Sequence, residues 1–324
     1  MKENKYNYVF CNINEDYLMP IFDELSNLPF AKVFKHAFTG NKLEQKLFFL
    51  HWSAKLNRKI RLPFKFIWYK KMCQHKFPEN KPTCFVFLGG KYICQDKGLL
   101  KYIRKLNPEN KCVVLYLDLI AKRKIDIEKV KKIVDVVVSY DKEEAEMFEI
   151  AYQDMDYYTP LIPVTTPDTF ENDVYFSGFA KDRLNDIHKV YNHLSNEGLK
   201  CKFIVCGTKE EDRISGEGLI YSSPVSYLEN LENVNRSRCV LELIQGDSVA
   251  PTLRLREAKT YKRKLITNNT NPQYKQALTE ENLLVFEGVE KITKEFVSSP
   301  IDYSLFDENY SSPVKLIDYL EEIL

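Results

Sequence analysis

Short continuous apolar runs alternate with amphipathic or polar stretches along this chain, and the alternation predicts strands separated by helices. In the first half the strands are Tyr8–Cys11, Cys84–Leu88, Cys112–Leu117 and Val134–Val138, with helices over Leu99–Leu106 and Asp141–Ile150. Asp141 can cap its helix, and Glu143, Glu144 and Glu146 favour the first turns. After Thr159–Pro167 (TPLIPVTTP) the pattern restarts. Strand Asp173–Phe176 ends at Ser177-Gly178, and helix Arg183–Asn196 is closed by Gly198. Strand Cys201–Val205 ends at Cys206-Gly207, helix Tyr227–Asn235 follows, and strand Cys239–Ile244 comes next. The loop Gln245-Gly246-Asp247-Ser248 leads to a helix opened by Pro251, then to strand Leu265–Thr267. Strands that are apolar throughout, with helices between them, predict parallel sheets covered on both faces.

Three prolines within Thr159–Pro167 stiffen a connection and forbid a long helix, so the domain boundary is placed there. The expected organisation is an N-terminal domain over 1–165, a second domain over 166–310 and a terminal helix over 311–324. Ser312 caps that helix and Pro313 takes its first position. A length of 324 residues suits two domains, and a hydrophobic fraction of 44% with net charge +1 suits a soluble globular chain. No apolar run approaches the ~20 residues that span a bilayer. The N-terminus reads as a first strand, not a signal peptide, which predicts a cytoplasmic location. The eight cysteines are irregularly spaced with no C-x-x-C pair, so they read as small buried hydrophobes and not as zinc ligands.

The chemistry gathers in the second half. A strand followed by a helix N-terminus exposes unpaired N–H groups and a positive dipole end, which suits a phosphate. The segment Pro251–Asn269 has this form and carries Thr252, Arg254 and Glu257. The turn after the domain's first strand offers Gly178, where backbone can approach a phosphate closely, with Lys181 and Arg183 to neutralise a diphosphate. Read plainly, Arg254 and Glu257 form an exposed i,i+3 ion pair, worth ~0.2–0.5 kcal/mol. Asn268 and Asn269, after the last strand, are equally consistent with a plain turn.

A small polar loop, a helix with Arg and Glu-Ala, and a basic turn into a buried strand, in that order, resemble the donor site of GT-B glycosyltransferases. The likeness is greatest to bacterial enzymes that build capsule and lipopolysaccharide. It covers Asp173–Asn269 best and extends to Val134–Ile150, where a strand, Ser-Tyr-Asp, helix pattern recurs. The resemblance implies two Rossmann-like βαβ domains facing a cleft, with the C-terminal helix crossing back to the first domain. It implies a nucleotide-sugar donor, transfer to a surface-polysaccharide or lipid-linked acceptor, and no obligatory metal or cofactor. Glu257 takes the position that binds the donor ribose. Gly207, Thr208 and Val225 fall at the strand ends expected to border the base. Where retaining members carry a further Glu, eight residues before Glu257, this chain has Val249, so stereochemistry stays open.

From Gln45 to Pro78 there is no acidic residue. Lys55, Arg58, Lys59 and Arg61 lie there with both tryptophans, Trp52 and Trp68, and several phenylalanines. Cations interleaved with amphipathic rings predict attachment to an anionic membrane surface, at the inner face of the cell membrane, in preference to nucleic acid. Alternatively these rings fill the first domain's core.

An inverting enzyme needs a general base from the first domain. Asp118, directly after a strand, is the leading candidate, with Asp96, His36 and His51 behind it; a strand-end Asp also caps helices and forms turns. Asp154-Met155-Asp156 is read as a chance match to a metal-binding D-x-D. Rival readings are a nucleotide-binding GT-B protein without transferase activity, a sugar-nucleotide epimerase, and a hinge-binding protein without chemistry. Few histidines (His188 and His193 lie on a predicted surface helix) disfavour the epimerase.

Overall fold

The structure, a computed structural model, describes residues 4–11, 15–34, 42–57, 60, 62–89, 96–121, 125–244, 250–306 and 312–324. His36, Arg58, Lys59, Arg61, Gly90, the 245–248 loop and Val249 therefore lie outside the described residues. The chain divides into two compact units, Met1–Thr159 with Ser311–Leu324, and Pro160–Tyr310. The division falls at the start of the proline-rich segment, not at its end.

Unit 1 contains β1 (Asn7–Cys11), β2 (Ala31–Phe34), β3 (Thr83–Leu88), β4 (Lys111–Tyr116), β5 (Val136–Ser139) and β6 (Ala151–Tyr152). All pair in parallel in the order β2-β1-β3-β4-β5-β6. Every residue of β1 is buried, as an interior parallel strand covered on both faces requires. Asp96 caps helix Lys97–Leu106 by accepting from the Leu99 N–H at 3.0 Å, and Asp141 caps Lys142–Phe148 by accepting from Glu144 N–H at 2.8 Å. Helix Val314–Ile323 belongs to this unit, as expected, and buries Leu316, Ile317 and Leu320. Its Glu321 accepts from the Lys5 N–H and from the Tyr8 hydroxyl at 2.7 Å.

Unit 2 contains β7 (Asn172–Phe179), β8 (Cys201–Cys206), β9 (Leu219–Ser222), β10 (Ser237–Glu242), β11 (Lys264–Thr267) and β12 (Leu283–Val285), again wholly parallel. The order β12-β11-β10-β7-β8-β9 is the 3-2-1-4-5-6 arrangement of a dinucleotide-binding sheet. Chain direction across the sheet reverses between β7 and β10. Both units are α/β and Rossmann-like, the fold class the pattern predicted. Arg263 is fully buried and donates to the carbonyls of Val234, Thr165 and Asn235, which fastens the connecting segment to this unit. Among the described residues it forms no ion pair with a carboxylate, and burial pushes its pKa down to about 10.

Candidate functional site

Open parallel sheets bind ligands outside the carboxyl ends of the strands where the order reverses. In unit 2 that place is the end of β7 and the end of β10. Arg183 bridges them: its guanidinium donates to the Phe179 carbonyl of β7 at 3.1 and 3.2 Å, and to the Leu243 carbonyl just past β10. Gly178 makes room for this, because a Cβ there would stand 2.7 Å from Arg183 Nη2. Among the described residues no carboxylate forms an ion pair with Arg183. Burial lowers its pKa, and the neighbouring Arg254 charge adds to that.

Arg254 reaches the same place from the helix Leu253–Thr260. It donates to the Ser177 carbonyl at 2.9 Å and to Asn230 Oδ1 at 3.1 Å, and it is paired with Glu257. Burial opposes its charge, but the Glu257 carboxylate outweighs this and raises its pKa. The helix begins at Leu253, not at Pro251. Thr252 is the cap, with Oγ1 accepting from Arg254 N–H at 3.0 Å.

Glu257 departs furthest from expectation. Its pair with Arg254 exists, but Glu257 is 0% exposed. Its carboxylate accepts from the Tyr227 hydroxyl at 2.9 Å and Asn230 Nδ2 at 3.2 Å besides the arginine. The pair is therefore a buried ion pair and not a solvated one, so the weak exposed-pair energies do not apply. A ribose would have to displace Tyr227 or Asn230, and the immediate role of Glu257 is to hold the Arg254 guanidinium.

Glu242, at the end of β10, is a member that the sequence reading missed. It is 2% exposed and accepts from the hydroxyls of Thr252, Thr267 and Tyr274, the last at 2.9 Å. Burial pushes its carboxyl above the ordinary range, against these hydrogen bonds and the Arg254 charge. Tyr274 also receives the Thr252 N–H at 3.2 Å and Asn269 Nδ2 at 3.1 Å. Through this network Glu242 fixes the helix N-terminus. Asn268 and Asn269 do more than form a turn. Asn268 accepts from Ile244 N–H at 2.8 Å and Asn269 donates to the Ala250 carbonyl at 3.2 Å, one on each side of the 245–249 loop.

The structure thus gathers Gly178, Arg183, Thr252, Arg254 and Glu257. Lys181 is exposed beside them, with a left-handed φ of 45° that a lysine rarely adopts. Gly207 and Thr208 follow β8, and Val225 lies between β9 and helix Tyr227–Asn235. Among the described residues no hydrogen bond joins these three to Arg183 or Arg254; Thr208 accepts at its carbonyl from Arg213 at 3.2 Å. Gly207 has φ 72°, and the half-exposed Phe179 ring packs over it.

In unit 1, Asp118 is exposed just after β4. Glu144 shapes that turn by accepting from Ile120 N–H at 2.7 Å and Ala121 N–H at 2.9 Å. Asp96 is withdrawn from acid–base work: it is buried, ion-paired with Lys65 at 2.8 Å and accepts from Tyr69 at 2.7 Å. Burial alone would raise its carboxyl, but the bonds from Lys65, Tyr69 and Leu99 hold it below its ordinary value. Half-buried His51 accepts from Trp68 Nε1 at 2.7 Å, with the proton on the indole nitrogen. Trp68 and Trp52, expected on a membrane-facing surface, are only 6% and 8% exposed and belong to the unit 1 core. Lys55 is exposed. Among the described residues no cluster of His, Cys, Asp or Glu is arranged to hold a metal ion, and no helix is long and apolar enough to cross a membrane.

No family model and no curated protein matches the chain. Solved structures similar to it include T4 phage BGT in complex with its UDP-glucose substrate, at 10% identity and TM-score 0.47 over 98% of each chain. A UDP-N-acetylglucosamine 2-epimerase from Rickettsia bellii is 10% identical at TM-score 0.48, over 98% of this chain and 94% of that one. An alpha-glucosyltransferase in complex with UDP and DNA is 12% identical at TM-score 0.47, over 97% and 90%. Such low identities and scores fix neither the family nor the substrate of this chain.

Proposed function

We propose that the chain is a GT-B-type glycosyltransferase that moves a sugar from a nucleoside-diphosphate donor to a surface-polysaccharide or lipid-linked acceptor. The observation that carries this reading is the pair of arginines at the β7 and β10 strand ends. Both rest on backbone carbonyls, and Arg183 has no carboxylate partner among the described residues. A dianionic diphosphate would supply Arg183 with an ion-pair partner, and a planar guanidinium can grip its oxygens bidentately. The capped N-terminus of helix Leu253–Thr260 adds N–H groups and a positive dipole end.

In the reaction the bond from the sugar's anomeric carbon to the diphosphate breaks, and a bond from that carbon to an acceptor oxygen forms. The diphosphate leaves with the electron pair, and Arg183, Arg254 and Lys181 stabilise the charge that develops on it. This electrostatic task needs no metal. The acceptor hydroxyl gives up its proton to a carboxylate, for which Asp118 is the candidate. Gly207, Thr208 and Val225 border the base, and Glu257 acts on the donor through Arg254. The protein works in the cytoplasm, where nucleotide sugars are made.

Thermal shift against UDP, GDP, CDP, ADP, TDP and CMP tests the reading. A ligand at about 100 times its dissociation constant stabilises by ~2.7 kcal/mol. One diphosphate is expected to raise the melting temperature; a flat response to all six would remove the donor-site reading.

A further inference from the structure

We infer that the outer face of helix Lys42–His51, with the adjoining exposed rings of Phe64 and Phe66, is a surface that seats unit 1 in the headgroup region of an anionic lipid bilayer. The inference rests on unit 1 alone and does not depend on the donor site. Half of the large hydrophobic side chains that stand exposed among the described residues fall between Leu43 and Ile67. Leu43, Leu47 and Leu50 are 65%, 42% and 46% exposed, and their i, i+4, i+7 spacing places them on one helix face. The inward face of the same helix is already used: Phe48 is 5% exposed and meets Trp68 edge-on at 5.3 Å. The helix is therefore apolar on two faces, and the core covers only one.

The neighbouring helix Phe66–Cys73 extends the patch. Ile67 is 46% exposed and lies one turn from Lys71, which pairs with Glu44 beside Leu43 on the first helix. Phe64 and Phe66, 64% and 60% exposed, hold their rings 6.4 Å apart. The same stretch of chain carries the exposed Lys46, Lys55, Lys70 and Lys76, and no acid follows Glu44 until Glu79.

Exposed apolar side chains interspersed with exposed lysines match an interface that is hydrocarbon beneath and anionic above. A second copy of this chain fits less well, because a two-fold contact would set the lysines against themselves. Single-stranded nucleic acid would stack on aromatic faces; Phe64 and Phe66 offer two, but Leu43, Leu47, Leu50 and Ile67, the larger part of the surface, have none. The surface consists of these aliphatic residues with Phe64 and Phe66, and not of the buried Trp52 and Trp68.

Flotation of the full chain with phosphatidylcholine vesicles, with and without phosphatidylglycerol, tests the inference. Binding is expected to the anionic vesicles, about tenfold or more above the neutral ones, and to weaken with salt. The double variant Leu47→Ser, Leu50→Ser is expected to lose about tenfold of that binding with its melting temperature and nucleotide binding unchanged. Lys46→Gln with Lys70→Gln is expected to reduce the preference for anionic vesicles, and it does so even if the leucine variant does not fold. Wild-type protein that ignores both vesicles, or binds both equally, overturns the inference. So does a concentration-dependent dimer that the leucine variant dissolves, or oligonucleotide binding that the lysine variant abolishes.

Discussion

Each unit buries charge near the carboxyl ends of its sheet, and the two arrangements differ in what they leave over. In unit 1 the Lys65–Asp96 pair is closed: Asp96 takes Lys65, the Tyr69 hydroxyl and a helix N–H, and both side chains are almost wholly buried. In unit 2, Arg254 has Glu257, but Arg183 donates to carbonyl oxygens and forms no ion pair with a carboxylate among the described residues. A closed pair specifies structure; a cation held by neutral acceptors keeps capacity for an anion. The same chemistry thus yields a structural clamp in one unit and a candidate phosphate site in the other.

The largest expected effects come from breaking either pair. Asp96→Ala takes from buried Lys65 the carboxylate it pairs with, and Glu257→Ala takes that of Arg254; each is expected to cost ~3–5 kcal/mol of stability. Both tryptophans lie in unit 1, so fluorescence in a urea titration reports the first loss, while circular dichroism is needed for the second. Equal midpoints for variant and wild type would show that the pair is not holding its unit. Next in size, Tyr274→Phe withdraws a hydroxyl donor from Glu242 and leaves Asn269 short of an acceptor. A loss of ~1–3 kcal/mol is expected by the same titration.

The smallest effects are in pH dependence, and they carry opposite signs. Asp96 has a lowered carboxyl pKa, so its stabilisation is present above the ordinary value of 3.8 and fades as pH falls through the folded value. Glu242 has a raised one, so its contribution is full below 4.5 and fades as pH rises through the folded value. Asp96→Asn is therefore expected to flatten the acid limb of the stability profile, and Glu242→Gln the limb above pH 4.5. Parallel profiles for the two variants would break the contrast.

Much of the fold was legible because parallel strands buried on both faces are continuous apolar runs. Tyr8–Cys11, Cys84–Leu88 and Cys201–Val205 announce themselves in this way. Ala31–Phe34, Ala151–Tyr152 and Leu283–Val285 did not, since two to four residues give no run long enough to stand out. Arg183 and Arg254 were legible from their places after strands. Glu242 was hidden inside an apolar run, and its partners Thr267 and Tyr274 lie far off in sequence and meet it only across the sheet. The burial of Glu257 depends on Tyr227 and Asn230, which no local pattern connects to it. The tryptophans were misplaced for a related reason. A helix with apolar residues on both faces has no periodicity that says which face turns inward.

Arg183 is held ready for a diphosphate under the function proposed above. Calorimetric titration of wild type and Arg183→Ala with the nucleoside diphosphate that stabilises the protein tests it most directly. The variant is expected to lose ~1.5–3 kcal/mol of binding, the worth of a hydrogen bond to a charged group. The matching nucleoside, lacking phosphates, is expected to bind both proteins equally weakly. Equal diphosphate affinity in wild type and variant would contradict it.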